Sequence, residues 1–227
     1  IDLSALFFAK ATPAAIRREV EDAGMSVTMV TSYPDFTHPD AAQRAKELQA
    51  ECEVVEAAAA LGARYVRVTA GQAHPETGIQ EGIAWAVEGL TRLVETIGAN
   101  GPIPVYENHA KPGAWQYTDF SQPPDIFLEI ARCTAGVGLH INFDVGNAAA
   151  FADDPVALLS QVVDRVATVH ASDTATRGAL QHVLLGTGVT PYVPLFRRLR
   201  QAGWDGWICM EENARQGREG VAAKGRR

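Results

Sequence analysis

The stretch Ile103-Pro104-Val105-Tyr106-Glu107-Asn108-His109 is an apolar, β-favouring run that ends on a carboxylate. The same cadence returns three times. Val137 to Phe143 runs into Asp144-Val145-Gly146-Asn147, Val166-Ala167-Thr168-Val169 into His170-Ala171-Ser172-Asp173, and Trp207-Ile208-Cys209-Met210 into Glu211-Glu212-Asn213. In each case a residue able to ligate a metal directly follows the strand signal, so it stands at the carboxyl edge of its strand. Taken singly, each of these residues has an ordinary reading as a solvated loop residue, a helix cap or a turn former. Four in succession, always at the same end, point to one shared face, because parallel strands joined by helical crossovers bring their carboxyl edges together.

The flanking sequence supports parallel strands. Ile1-Asp2-Leu3-Ser4 reads as the end of a strand, and Ser26 to Thr31 and Tyr65-Val66-Arg67-Val68 read as two more. Helical patterns lie between the strands. Thr12-Pro13 offers an N-cap followed by proline, with Gly24 as the stop. Asp40 to Leu61 carries Leu48, Cys52, Val55 and Ala59 at helical spacing before Gly62. Ile83 to Ile97, Pro124 to Ala131, Pro155 to Val163 and Val193 to Ala202 continue the series. Strict strand–helix alternation predicts an α/β fold with a parallel sheet. No linker or low-complexity stretch divides the chain, so one domain over 1–227 is expected, with Arg215 to Arg227 weakly helical and frayed.

Composition sets the class. At 227 residues with 47% apolar and 21% charged residues, the chain can bury a core of its own. No apolar run is long enough to span a bilayer, and the first residues given do not read as a basic-then-apolar stretch. Cys52, Cys133 and Cys209 are odd in number and far apart, which argues against a disulfide framework and fits a reducing, cytoplasmic compartment. A net charge of −7 argues against a general nucleic-acid binder. Three carboxylates and one imidazole make a mixed oxygen–nitrogen donor set. That set suits Mn²⁺, Mg²⁺ or Co²⁺, with Zn²⁺ also compatible, and a dication would relieve the repulsion among converging carboxylates.

The stretches Arg67-Val68-Thr69-Ala70-Gly71, Val105 to His109, Phe143 to Asn147, Val169 to Asp173, Leu185-Gly186-Thr187-Gly188 and Gly206 to Glu211 resemble, in this order, the xylose isomerase-like barrel superfamily. More narrowly they resemble its sugar phosphate isomerase/epimerase group, which includes ketohexose epimerases, hydroxypyruvate isomerases and inosose dehydratases. The resemblance implies a (β/α)8 TIM barrel, with Glu107, Asp144, His170 and Glu211 as metal ligands and Glu212 as the fallback for the last. It also implies that Glu107 and Glu211 form the acid/base pair. An eight-stranded barrel predicts one βα unit before Ile1 and a longer last helix than this chain carries.

Departures from that group bear on the substrate. Asn147 stands where ketohexose epimerases carry a histidine and Gly113 where they carry a glutamate, while Arg177 corresponds to their arginine after the histidine ligand. A trinuclear zinc site of the endonuclease type is not expected with Asn147 in place. Arg67, His109, Lys111, Asn147, Arg177 and His182 are the candidate substrate-binding side chains, each with an alternative reading as a loop or ion-pair residue. Trp115 and Tyr117 offer an apolar wall or loop packing, and His140 reads as a core histidine.

The function expected is a metal-dependent isomerase or epimerase of a small sugar, polyol or hydroxy-keto acid. A dehydratase on a similar substrate and a non-catalytic or incomplete barrel are the alternatives. The expected partners are a small carbohydrate-like substrate and, compatibly with related barrels, a second copy in a homodimer; neither nucleic acid nor membrane is expected.

Overall fold

A computed structural model of the chain describes residues 1–211. Glu212 and the segment Arg215 to Arg227 lie outside the described residues. The chain divides into two compact units, Ile1–Ile141 and Asn142–Arg227, with the division falling inside one strand.

The first unit alternates strand and helix. Strand β1 (Asp2–Ser4) leads through a 3₁₀ turn (Ala5–Ala9) to α1 (Pro13–Asp22). Then come β2 (Met29–Thr31), α2 (Ala41–Leu61), β3 (Tyr65–Val68), α3 (Ile79–Ile97), β4 (Ile103–Glu107) and α4 (Pro124–Cys133). The four strands stand in the order β1-β2-β3-β4 and are all parallel, with Thr31 opposite Arg67 and Arg67 opposite Val105. Met29, Val30, Val66, Val68, Val105 and Tyr106 are wholly buried, as expected when a parallel sheet has both faces covered.

Local sequence accounts for the helix boundaries. Thr12 Oγ1 accepts from Ala15 N ahead of Pro13, and Asp40 Oδ1 accepts from Ala42 N to open α2, which stops at Gly62. The buried stripe of α2 is not the expected one. Glu51, Val55, Ala58 and Leu61 face inward, whereas Leu48 and Cys52 are half-buried and Ala59 is exposed. In an alanine-rich helix two neighbouring stripes are almost equally apolar, and tertiary packing chooses between them. The choice buries a carboxyl group.

The second unit holds the carboxyl part of β5 (His140–Asp144), then α5 (Val145–Phe151), α6 (Pro155–Val162), β6 (Val166–Ala171), α7 (Tyr192–Gln201) and β7 (Trp207–Met210). The strand order is β5-β6-β7, with β6 and β7 parallel and His170 opposite Cys209. Strand β5 is shorter than the expected Val137 to Phe143, and His140 at its start is exposed, not a core residue. Among the described residues no helix is long and apolar enough to cross a membrane.

Candidate metal centre

Strand pairing determines which side chains share a face. Asn142 on β5 accepts a hydrogen bond from Thr168 on β6 at 2.7 Å, so these two point the same way. Two residues further along each strand lie Asp144 and His170, and alternation places them on that same face. His170 is opposite Cys209, and Glu211, two residues beyond Cys209, follows suit. Asp144, His170 and Glu211 each present a ligand atom within 4.8 Å of the others. Asp144 and His170 are buried, while Glu211 is half exposed and its Oε2 lies 2.8 Å from His170 Nδ1.

Asp144 is held firmly. It ends β5 and caps α5, accepting from Asn147 N at 2.6 Å, and Ser172 Oγ donates to it at 2.8 Å. The close approach depends on Gly146, where a Cβ would lie 2.1 Å from Ser172 Oγ. Next along the chain, buried Asp173 accepts four backbone N–H groups. Thr174 and Thr190 donate to Oδ1 and Gly186 and Gly188 to Oδ2, at 2.9–3.1 Å. One carboxylate thereby fastens the loop that carries Leu185 to Gly188. The hydroxyl of Tyr192 donates to Ser172 O at 2.6 Å, and burial with Asp173 and Asp144 nearby pushes its pKa well up.

In the first unit, Glu107 ends β4 and is buried. Arg67 and Glu107 share a face by register, and Arg67 Nε lies 3.1 Å from Glu107 Oε2 with both side chains almost fully enclosed. Arg67 also donates through Nη1 to Ser32 O at 2.7 Å and lies over the ring of Tyr33 at 4.4 Å. The ion pair to a strand-end carboxylate, one of the two readings open for Arg67, is the one observed.

The remaining candidates fall in three groups. His109 sits 3.6 Å from buried Asp119, whose carboxyl is pushed up by burial, and is edge-on to Tyr33 and Trp115. Asn147 and His182 bring buried polar atoms, Oδ1 and Nδ1, that have no hydrogen-bond partner among the described residues. Lys111 and Arg177 are exposed and spend their charged groups on backbone carbonyls, Lys111 on Gln116 O and Arg177 on Ala152 O and Asp153 O. Tyr117 packs edge-on to His74, which is itself 2.8 Å from Asp35. Ser172, Asp173, Asp119, Ser32 and Glu51 carry no motif of their own; the first two could be found only as companions of His170.

The donor chemistry fits a divalent ion. Two carboxylates and an imidazole converge at strand ends, and the buried Asp144 is oriented by other hydrogen bonds, as a ligand must be. A family model for the xylose isomerase-like TIM barrel matches residues 5–227. The chain belongs to that family. The expected TIM-barrel class is thus shown, and solved structures share the fold at low identity. A D-tagatose 3-epimerase-like protein superposes with a TM-score of 0.81 at 19% identity, covering 99% of this chain and 85% of that one. The IolI protein, solved with a zinc atom, gives 0.84 at 14%, covering 100% and 85%. A probable 3-DHS dehydratase, AsbF from Bacillus anthracis, gives 0.76 at 18%, covering 100% and 86%. No curated protein matches the chain.

Proposed function

We propose that this barrel binds one divalent metal ion through Glu107, Asp144, His170 and Glu211 and isomerises or epimerises a small sugar, polyol or hydroxy-keto acid. The observation that carries the reading is the approach of Asp144, His170 and Glu211 at the ends of consecutive strands. Glu107 ends the strand that precedes them in chain order and completes the set. Mn²⁺, Mg²⁺ and Co²⁺ suit this oxygen-rich shell, and Zn²⁺ is the ion held by the IolI structure. When bound, the ion supplies the positive charge that lowers the cost of removing a proton beside a carbonyl.

The chain's own residues do the rest. One glutamate of the Glu107/Glu211 pair takes the carbon-bound proton, and the other returns a proton to the carbon, from the opposite side in an epimerisation. Arg67 holds Glu107 in place and balances its charge. Asn147 Oδ1, buried without a hydrogen-bond partner among the described residues, accepts a substrate hydroxyl, and His109 and His182 offer further polar contacts. Lys111 and Arg177 act by shaping the loops that carry them.

A dehydratase is the second reading, supported by His109 beside Asp119, because a proton donor at that position would serve a departing hydroxyl. Metal-depleted protein titrated with Mn²⁺ is expected to take up one equivalent. Glu107→Gln and Asp144→Asn are each expected to weaken that binding by about tenfold or more, and tight stoichiometric binding in both would refute the ligand set. Turnover of a sugar and keto-acid panel in D₂O then separates the reactions. Deuterium at carbon with no change in mass balance marks the isomerase; loss of water marks the lyase.

A further inference from the structure

Glu51 lies on the inward stripe of α2 and is 4% exposed, far from any strand end in sequence. Its Oε1 is 2.6 Å from Ser32 Oγ, and Ser32 Oγ is in turn 3.0 Å from Arg67 O. A serine hydroxyl has one proton and can donate along only one of these two directions. Both hydrogen bonds are made at once when Glu51 is the neutral acid, donating to Ser32 Oγ while Ser32 donates to Arg67 O. The surroundings agree: burial lifts the Glu51 carboxyl to about 8, against the opposing pull of Ser32 and Arg67 and with Glu47 adding to the rise.

Ser32 is the hub of this arrangement. Its N–H and hydroxyl both reach Arg67 O, and its own carbonyl accepts Arg67 Nη1 at 2.7 Å. Arg67 then meets Glu107 through Nε at 3.1 Å. We propose that Glu51 is a positioning residue for the metal-binding carboxylate Glu107, acting through Ser32 and the guanidinium of Arg67. The inference rests on the metal-site reading above and adds to it a residue on a helix behind the sheet. A neutral acid suits this role because it anchors Ser32 without competing with Glu107 for the charge of Arg67; an ionised Glu51 would do both.

The test uses the full chain, Mn²⁺ as the probe, and three variants read by calorimetric titration and thermal melting. Glu51→Gln keeps a neutral donor for Ser32 Oγ and is expected to bind Mn²⁺ within about twofold of wild type. Glu51→Met keeps the volume but loses the hydrogen bond. It is expected to melt no lower than wild type and yet to bind Mn²⁺ about five- to tenfold more weakly. Ser32→Ala removes the same link from the other side and is expected to match that loss, so it decides the matter if Glu51→Met does not fold. Wild-type affinity in Glu51→Met, or in Ser32→Ala, overturns the role of Glu51, as does an equal loss in Glu51→Gln and Glu51→Met. No Mn²⁺ binding by wild type overturns the metal-site reading, and this inference with it.

Discussion

Replacing Glu51 by glutamine should change how stability depends on pH more than it changes the fold. In the folded chain, burial holds the carboxyl protonated up to about pH 8, whereas an unfolded chain releases the proton near 4.5. Between these values the folded state carries a proton that the unfolded state does not, so raising the pH favours unfolding. The loss begins near pH 4.5 and levels off above pH 8. With 1.36 kcal/mol per pH unit, the group costs wild type about 2–3 kcal/mol between pH 5 and pH 7, and about 5 kcal/mol once both states are ionised. Glutamine stays neutral throughout and occupies nearly the same volume. Urea titrations of wild type and Glu51→Gln at pH 5, 6, 7, 8 and 9 should therefore diverge up to about pH 8 and then run parallel, the variant gaining about 2–3 kcal/mol on wild type from pH 5 to 7. A melting-temperature difference widening by about 5–10 °C over the same range is the thermal counterpart. Parallel pH profiles for the two proteins would refute the argument, since they would mean that Glu51 titrates alike in the folded and unfolded chains.

Three further outcomes follow from single contacts. Gly146→Ala places a methyl 2.1 Å from Ser172 Oγ and 2.9 Å from its backbone, displacing the hydroxyl that holds Asp144. Mn²⁺ affinity, measured by titration, should fall about tenfold. Asp173→Asn cannot accept four N–H groups as the carboxylate does, so it should cost about 2–4 kcal/mol in urea unfolding and open the loop around Gly186 to limited proteolysis. Gly71→Ala meets Thr37 Oγ1 at 2.2 Å in a backbone conformation, φ +136°, that side chains avoid. A loss of about 2–4 kcal/mol is expected by the same measurement; wild-type stability there would mean that the loop around Thr37 rearranges freely.

Much of the fold is legible along the chain because it is written in local signals. Tyr65–Val68 and Trp207–Met210 stand where their β-favouring runs place them, and Thr12 and Asp40 cap the helices they precede. The three ligand candidates of the second unit were readable for the same reason, each following its strand at once. Helix α5 was not legible. Val145–Phe151 has only seven residues, and Asp144-Val145-Gly146-Asn147 reads equally well as a turn; its helix is favoured only once Asp144 accepts from Asn147 N.

Residue types and spacing by themselves determine that this chain alternates strand and helix and that carboxylates and a histidine close its strands. Those choices depend on neighbours in sequence, through hydrogen-bonding periodicity and capping. Tertiary structure alone decided that Arg67 turns to Glu107 rather than outward, that Lys111 and Arg177 spend their charge on backbone carbonyls, and that α2 buries Glu51 instead of Leu48. The physical reason is the same in each case. A charged or polar side chain is governed by whichever partner can repay the loss of water around it, and that partner is set by how the chain folds back, from five residues away for Lys111 to forty for Arg67.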